Sequence, residues 1–213
     1  MGAAMAVLEI VGRPISNYVW AARIACEEKG VPYSLVVAGA HSPEVAAIHP
    51  FGKMPVLRHG DVKLCESRAI YFYIDHAFDG PPLAPRDAVG GALTEQWLSL
   101  VNTSIDPVCV RQYLLGYIFP GTPDGSPNRP QIEGALPKME AQLAILDKAV
   151  AETGYLVGSS ITLADVNLLP ILFYLSRMPE SGPMLANNRN LAAYLERHVT
   201  RPSVTATIPK LPG

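Results

Sequence analysis

No helix or strand can run through Asp79-Gly80-Pro81-Pro82. Proline has no backbone N–H to donate, and glycine costs a regular element conformational entropy. The hydrophobic pattern also differs on the two sides of this break. Before it, short apolar runs alternate with helical periods; after it, only long helical periods remain. A chain of 213 residues, at about 150 per domain, has room for two small domains. The expected division is a domain over residues 5–82, a linker over 83–90 and a second domain over 91–213.

In the first part, Val7 to Val11 is a short apolar run closed by Gly12, which predicts a strand. Ser16 to Lys29 predicts a helix. Val19, Ala22, Ala25 and Cys26 form its apolar side, Glu27 and Glu28 face out, and Gly30 stops it. Tyr33 to Val37 is a second strand, and a helix between two strands makes them parallel. Ser42 and Pro43 suit the cap and first position of a short helix. Pro55 to His59 and Val62 to Cys65 flank Gly60-Asp61 as a hairpin, and Ser67 to Phe78 is a further helix. The order β-α-β-α-β-β-α predicts an α/β domain with a mixed four-stranded sheet.

Beyond the break, Gly91 to Tyr117 and Ile132 to Glu152 have long helical periods. The prolines and glycines of Pro120 to Pro130 separate them. Thr162 to Tyr174 and Leu191 to Val199 add two helices. The fold class is therefore α/β plus all-α.

Apolar residues make up 49% of the chain and charged residues 17%, which argues against disorder. Lys and Arg total 17 against 19 Asp and Glu, so no basic excess exists to neutralise phosphates and no nucleic-acid partner is expected. The longest apolar run, Leu168 to Leu175, is eight residues, too short for a bilayer. No basic residue precedes Glu9, so neither a secretory signal nor a membrane partner is expected. Cys26, Cys65 and Cys109 are odd in number and widely spaced. That fits neither a disulfide framework nor a zinc site, and fits a reducing, cytoplasmic compartment. The sequence has no glycine-rich phosphate loop and no His/Cys cluster, so no metal, nucleotide or flavin is expected.

Four segments stand out, three of them candidates for chemistry and the fourth structural. Ser16 stands between the first strand and the first helix, where free N–H groups and the helix dipole favour an anion. It serves there either as a plain N-cap or as a donor to that anion. Pro55 opens a strand; if its peptide bond is cis, Met54 turns its backbone outward, where it can pair with an extended peptide. Glu66 and Ser67 open a helix. They suit a zwitterion, the helix end taking a carboxylate and Glu66 an ammonium, and they equally suit capping plus a surface charge. Thr162 and Asp165 have capping-box spacing and a structural role.

Together these segments resemble the cytosolic glutathione transferases over nearly the whole chain. The resemblance rests on Pro14-Ile15-Ser16, on the turn Pro50-Phe51-Gly52-Lys53-Met54-Pro55, on Glu66-Ser67-Arg68 and on Ser160-Ile161-Thr162-Leu163-Ala164-Asp165. Cys26 lies mid-helix, ten residues past Ser16, so the cysteine-type classes fit poorly. The serine-type, phi- or theta-like branch is most similar, and Asp106-Pro107-Val108 is phi-like as well.

The resemblance implies a thioredoxin-like N-terminal domain followed by an all-helical one. It implies glutathione as co-substrate, with no metal, and a small hydrophobic electrophile as the second partner. Ser16 then stabilises the glutathione thiolate, which attacks the electrophile. Met54, ahead of a cis Pro55, pairs with the cysteinyl part, and Glu66 and Ser67 hold the γ-glutamyl end. Lys53 stands where many relatives carry Gln, and His41 is near the glycyl carboxylate or simply solvated. Tyr18 is a fallback hydroxyl. Tyr113 and Tyr117 share a helix face and line either an apolar pocket or the core. The family is commonly homodimeric, and Phe51 is either a key into the partner subunit or packed within its own chain. The same scaffold also carries peroxidase, dehalogenase and isomerase chemistry, or binding without catalysis.

Overall fold

Leu8–Val11 (β1) pairs in parallel with Tyr33–Val36 (β2), with Ile10 opposite Leu35. On its other edge β1 pairs antiparallel with Val56–His59 (β3), which pairs antiparallel with Val62–Cys65 (β4). In this computed structural model, which describes residues 7–210, the sheet order is β2-β1-β3-β4. Parallel neighbours need a crossover, and Asn17–Lys29 (α1) supplies it. The mixed four-stranded sheet of the sequence reading is thus present. Met5, Ala6 and residues 211–213 of the expected domains lie outside the described residues.

Alternation gives the sheet two apolar faces. Val11 and Val56, opposite each other, pack with Ala38, Val45, Val36, Ile48 and Cys65 beneath the short helix Pro43–Ala46 (α2). Ile10 and Leu57 point the other way and are fully buried. Ser67–Ala77 (α3) packs against α1 and against β3 and β4. Gly30 ends α1 in the left-handed region at φ 70°, where its N–H and that of Val31 close onto the last turn.

Two compact units result, and the first also takes in residues 201–210. Within it, Arg201 grips the Glu28 carboxylate at 2.6 and 2.7 Å, and the Trp20 indole donates to Thr207 Oγ1 at 2.9 Å. The short helix Pro202–Thr205 (α10) lies on α1. The sequence reading assigns this tail to the helical domain; its polar anchors to α1 carry no hydrophobic period by which to place it.

The second unit spans residues 85–200. It contains Ala88–Leu100 (α4), Leu115–Ile118 (α5), Arg129–Val150 (α6), Leu163–Leu175 (α7), Ser181–Asn187 (α8) and Arg189–Val199 (α9). Between α4 and α5, Val101–Leu114 winds as a π-helix, a departure from the single α-helix expected over 91–117. Pro107 lies inside it, and a proline there removes a donor and crowds a carbonyl one turn back, which wider winding relieves. Side chains of α6 reach the segment's carbonyls: Gln142 donates to Ser104 O at 2.8 Å and Gln131 to Gln112 O at 2.8 Å. Helix α7 is apolar almost all round and buried. Asp165, fully buried, accepts from Thr162 N–H and Oγ1, Leu156 N–H and Tyr194 OH, all within 3.1 Å. Among the described residues no helix is long and apolar enough to cross a membrane.

Candidate active site

The N-termini of α1 and α3, the loop before α2 and the turn into β3 are the parts of the first unit that carry the predicted chemistry. Ser16 is the N-cap of α1 and partly exposed, yet its side chain makes no capping hydrogen bond. Glu66 is the N-cap of α3 and also makes none. By contrast, Ser42, Asp87 and Asn128 each accept a backbone N–H at the start of their own helices. The side chains that open α1 and α3 are not used for capping.

The turn into β3 comes close to the loop after β1. The Met54–Pro55 peptide is cis. Arg13 N–H points at Met54 Sδ across 3.3 Å. Gly12 makes this approach possible, because a Cβ on it would lie 3.2 Å from Met54 Cβ and 2.5 Å from Val19 Cγ2. Among the described residues nothing bonds the Met54 backbone N–H or C=O. Lys53 beside it is exposed.

Gly52 ties the same turn to His41. His41 N–H donates to Gly52 O at 2.8 Å; a Cβ on Gly52 would push the His41 ring aside, and φ 62° there favours glycine in its own right. His41 itself is exposed, with φ 61°. Phe51 is 71% exposed. Tyr18 accepts the Tyr71 hydroxyl on its backbone carbonyl at 3.3 Å.

Glu66 has φ 69°, a left-handed conformation costly for a residue with a Cβ and most often met at functional sites. Its carboxylate is 69% exposed and touches one buried group, His49, whose Nε2 is 3.2 Å from Glu66 Oε1. The sequence reading missed His49. Its partners, Phe51 N–H at 3.0 Å and Glu66, are fixed by the fold, and an isolated histidine gives no period or motif. Ser67, largely buried, occupies the first turn of α3, where helix N–H groups lack intrahelical acceptors.

Two of the three cysteines, Cys26 and Cys109, are remote from thiolate chemistry. Cys26 is fully buried, and burial, with Glu27 adding to it, pushes its thiol well above the usual range. Cys109 is pushed up to about 12, first by burial and then by Asp106. Among the described residues no group of three or more His, Cys, Asp or Glu side chains is arranged to hold a metal.

Family models for glutathione S-transferase N- and C-terminal domains match residues 10–82 and 94–202. The chain belongs to the glutathione S-transferase family. Glutathione S-transferase 3 of Zea mays is 33% identical, covering 98% of this chain and 96% of its own. Glutathione S-transferase 1 of Triticum aestivum is 30% identical over the same shares. The theta-class glutathione S-transferase of Xanthomonas axonopodis pv. citri, solved with glutathione bound, superposes with TM-score 0.84 at 27% identity, covering 97% of this chain and 99% of that one. A serine-type, phi-like transferase fits these relatives.

In the helical unit of this transferase Tyr113 and Tyr117 converge on Glu180. Tyr113 is fully buried, and Tyr117 is partly exposed. Its hydroxyl donates to Glu180 Oε2 at 2.8 Å and accepts Ser181 N–H at 3.2 Å. The Tyr117 hydroxyl donates to the same oxygen at 2.5 Å, and Arg129 Nη1 donates to Glu180 Oε1 at 2.7 Å. Burial acts to raise the Glu180 carboxyl, but the hydrogen bonds from Tyr117, Tyr113 and Arg129 outweigh it and bring it to about 2. The Tyr117 hydroxyl is pushed up to about 12, by burial first and by the Glu180 hydrogen bond next. Both tyrosine hydroxyls and Arg129 thus meet on the one Glu180 carboxylate.

Proposed function

We propose that this transferase binds glutathione and conjugates it, through its thiolate, to small hydrophobic electrophiles. The observation that carries this reading is the Ser16 hydroxyl, which stands at the N-terminus of α1 and makes no capping bond there. A free thiol has pKa about 8.5, so little thiolate exists at pH 7. A hydroxyl donor and a helix N-terminus both favour the anion. Lowering the pKa by ~2 units takes about 2.7 kcal/mol. A charge-assisted hydrogen bond of ~1.5–3 kcal/mol and a helix end of ~0.3–1 kcal/mol are enough for that.

The sulfur then attacks an electrophilic carbon. A carbon–sulfur bond forms, the leaving group departs with its electron pair, and the thiol proton has already gone to solvent. Ser16 forms no covalent bond in this scheme. Met54, with its backbone groups unpaired, holds the cysteinyl segment as an added strand would. Ser67, at the α3 N-terminus, takes the γ-glutamyl carboxylate and Glu66 the ammonium. Lys53 and His41 flank the glycyl carboxylate. The reading extends to a cytoplasmic, detoxifying enzyme and to a homodimer keyed by the exposed Phe51 ring.

Retention on immobilised glutathione and turnover of a chlorinated nitroaromatic, run on wild type and Ser16→Ala, test the reading. Retention by both proteins, with turnover at neutral pH reduced roughly 10- to 100-fold in the variant, supports it. Failure of the wild type to be retained removes it.

A further inference from the structure

We infer that His49 is a positioning residue, which tethers one oxygen of Glu66 so that the other faces the ammonium of a γ-glutamyl ligand. This deepens the glutathione reading above and rests on it.

His49 is 3% exposed and held on several sides. Its N–H donates to Val45 O at 2.8 Å and its carbonyl accepts Gly52 N–H at 2.9 Å. Its Nδ1 accepts Phe51 N–H at 3.0 Å. A ring nitrogen that accepts carries no proton, so in the neutral ring the hydrogen lies on Nε2. That nitrogen is 3.2 Å from Glu66 Oε1. The backbone of a turn therefore sets the tautomer, and the tautomer aims a donor at an exposed carboxylate.

The consequence is pre-organisation. An exposed glutamate side chain samples several rotamers and loses that freedom when a ligand fixes it. A buried donor on Oε1 takes up much of this cost in advance and leaves Oε2 for the ligand. Glu66 opens α3 with a positive φ, and its carboxylate lies against His49 there. His49 touches no part of the reacting sulfur in this scheme, so its influence is on the grip of the γ-glutamyl end.

The test titrates glutathione, and glutaryl-Cys-Gly, which is glutathione without its α-amino group, into wild type, His49→Asn, Glu66→Ala and the double variant. Asparagine can keep the acceptor for Phe51 N–H but is too short to reach Glu66. We expect His49→Asn to weaken glutathione binding by roughly 3- to 10-fold, one modest hydrogen bond, and to leave the deaminated analogue unchanged. Added to Glu66→Ala, it changes nothing further, and kcat stays within about two-fold of wild type. Equal losses for both ligands, additivity with Glu66→Ala, or no loss at all would overturn the inference while wild-type glutathione binding stands. No wild-type binding of glutathione overturns the inference and the functional reading together.

Discussion

Lys29 Nζ lies 3.1 Å from Asp75 Oδ1, with the two side chains 2% and 0% exposed. The same ammonium donates to Gly80 O at 3.4 Å and Pro81 O at 3.2 Å, and the same carboxylate oxygen accepts Leu83 N–H at 2.7 Å. The segment that interrupts the chain thus ends on a buried ion pair between the end of α1 and α3. Its carbonyls, which no helix or strand can use, find a donor there.

Removing one partner of a buried pair leaves the other charge uncompensated, at about 3–5 kcal/mol. Asp75→Asn keeps an acceptor for Leu83 N–H but abandons the ammonium, and a loss of that order is expected. Lys29→Met combined with Asp75→Asn should recover a large part of it. Urea midpoints of wild type, each single variant and the double variant decide. A double variant as unstable as the worse single one would refute the charge argument.

Ser16→Ala removes the hydroxyl without disturbing a capping bond, since none is made. Stability should stay within ~0.5 kcal/mol of wild type. At neutral pH kcat/KM should drop roughly 10- to 100-fold, the worth of one charge-assisted hydrogen bond. The deficit should shrink as pH rises toward about 8.5, where the free thiol ionises unaided. A pH–rate profile from 6 to 9.5 in which the deficit is constant would reject thiolate stabilisation by this residue.

Glu66→Ala and Ser67→Ala act on the other end of the tripeptide. Each should raise the glutathione KM by roughly ten-fold with a smaller fall in kcat, because the γ-glutamyl end is gripped alike in ground and transition states. Steady-state kinetics with the electrophile saturating separate the two parameters. A dominant fall in kcat would assign these residues to the sulfur instead.

Local rules made the strands, the Gly30 stop and the cap at Ser42 readable, because each depends on neighbours within a few positions. The capping spacing of Thr162 and Asp165 is legible for the same reason, although the Tyr194 hydroxyl on Asp165, 29 residues away, is not. The donors that Gln142 and Gln131 bring from another helix to carbonyls of the π segment have no local signature either. His49 is invisible until the fold sets α3 beside the turn. At the candidate site, sequence proposes that Ser16 and Glu66 are binding groups. Only the fold shows that neither is occupied with capping. The Glu180 partner of Tyr113 is illegible for a related reason: it comes from 67 residues away, at the end of another segment.

The Glu180 node ties the stability of the helical unit to pH. Its carboxyl, at about 2 in the folded chain, lies below the ordinary value near 4.3. A depressed folded value adds stability above the unfolded pKa, and that stability is lost as pH falls from about 4.3 toward 2. The carboxylate is 19% exposed and Arg129 48%, so screening leaves a contribution on the order of 2 kcal/mol. Glu180→Gln should therefore be less stable than wild type by about that amount at pH 7, and the gap should close below pH 3. Tyr117→Phe, which removes one of the three hydrogen-bonding side chains, should show a smaller version of the same slope. Denaturant melts at pH 7, 4 and 2.5 measure both. A gap that persists unchanged at pH 2.5 would mean that Glu180 acts there by packing and not by its charge.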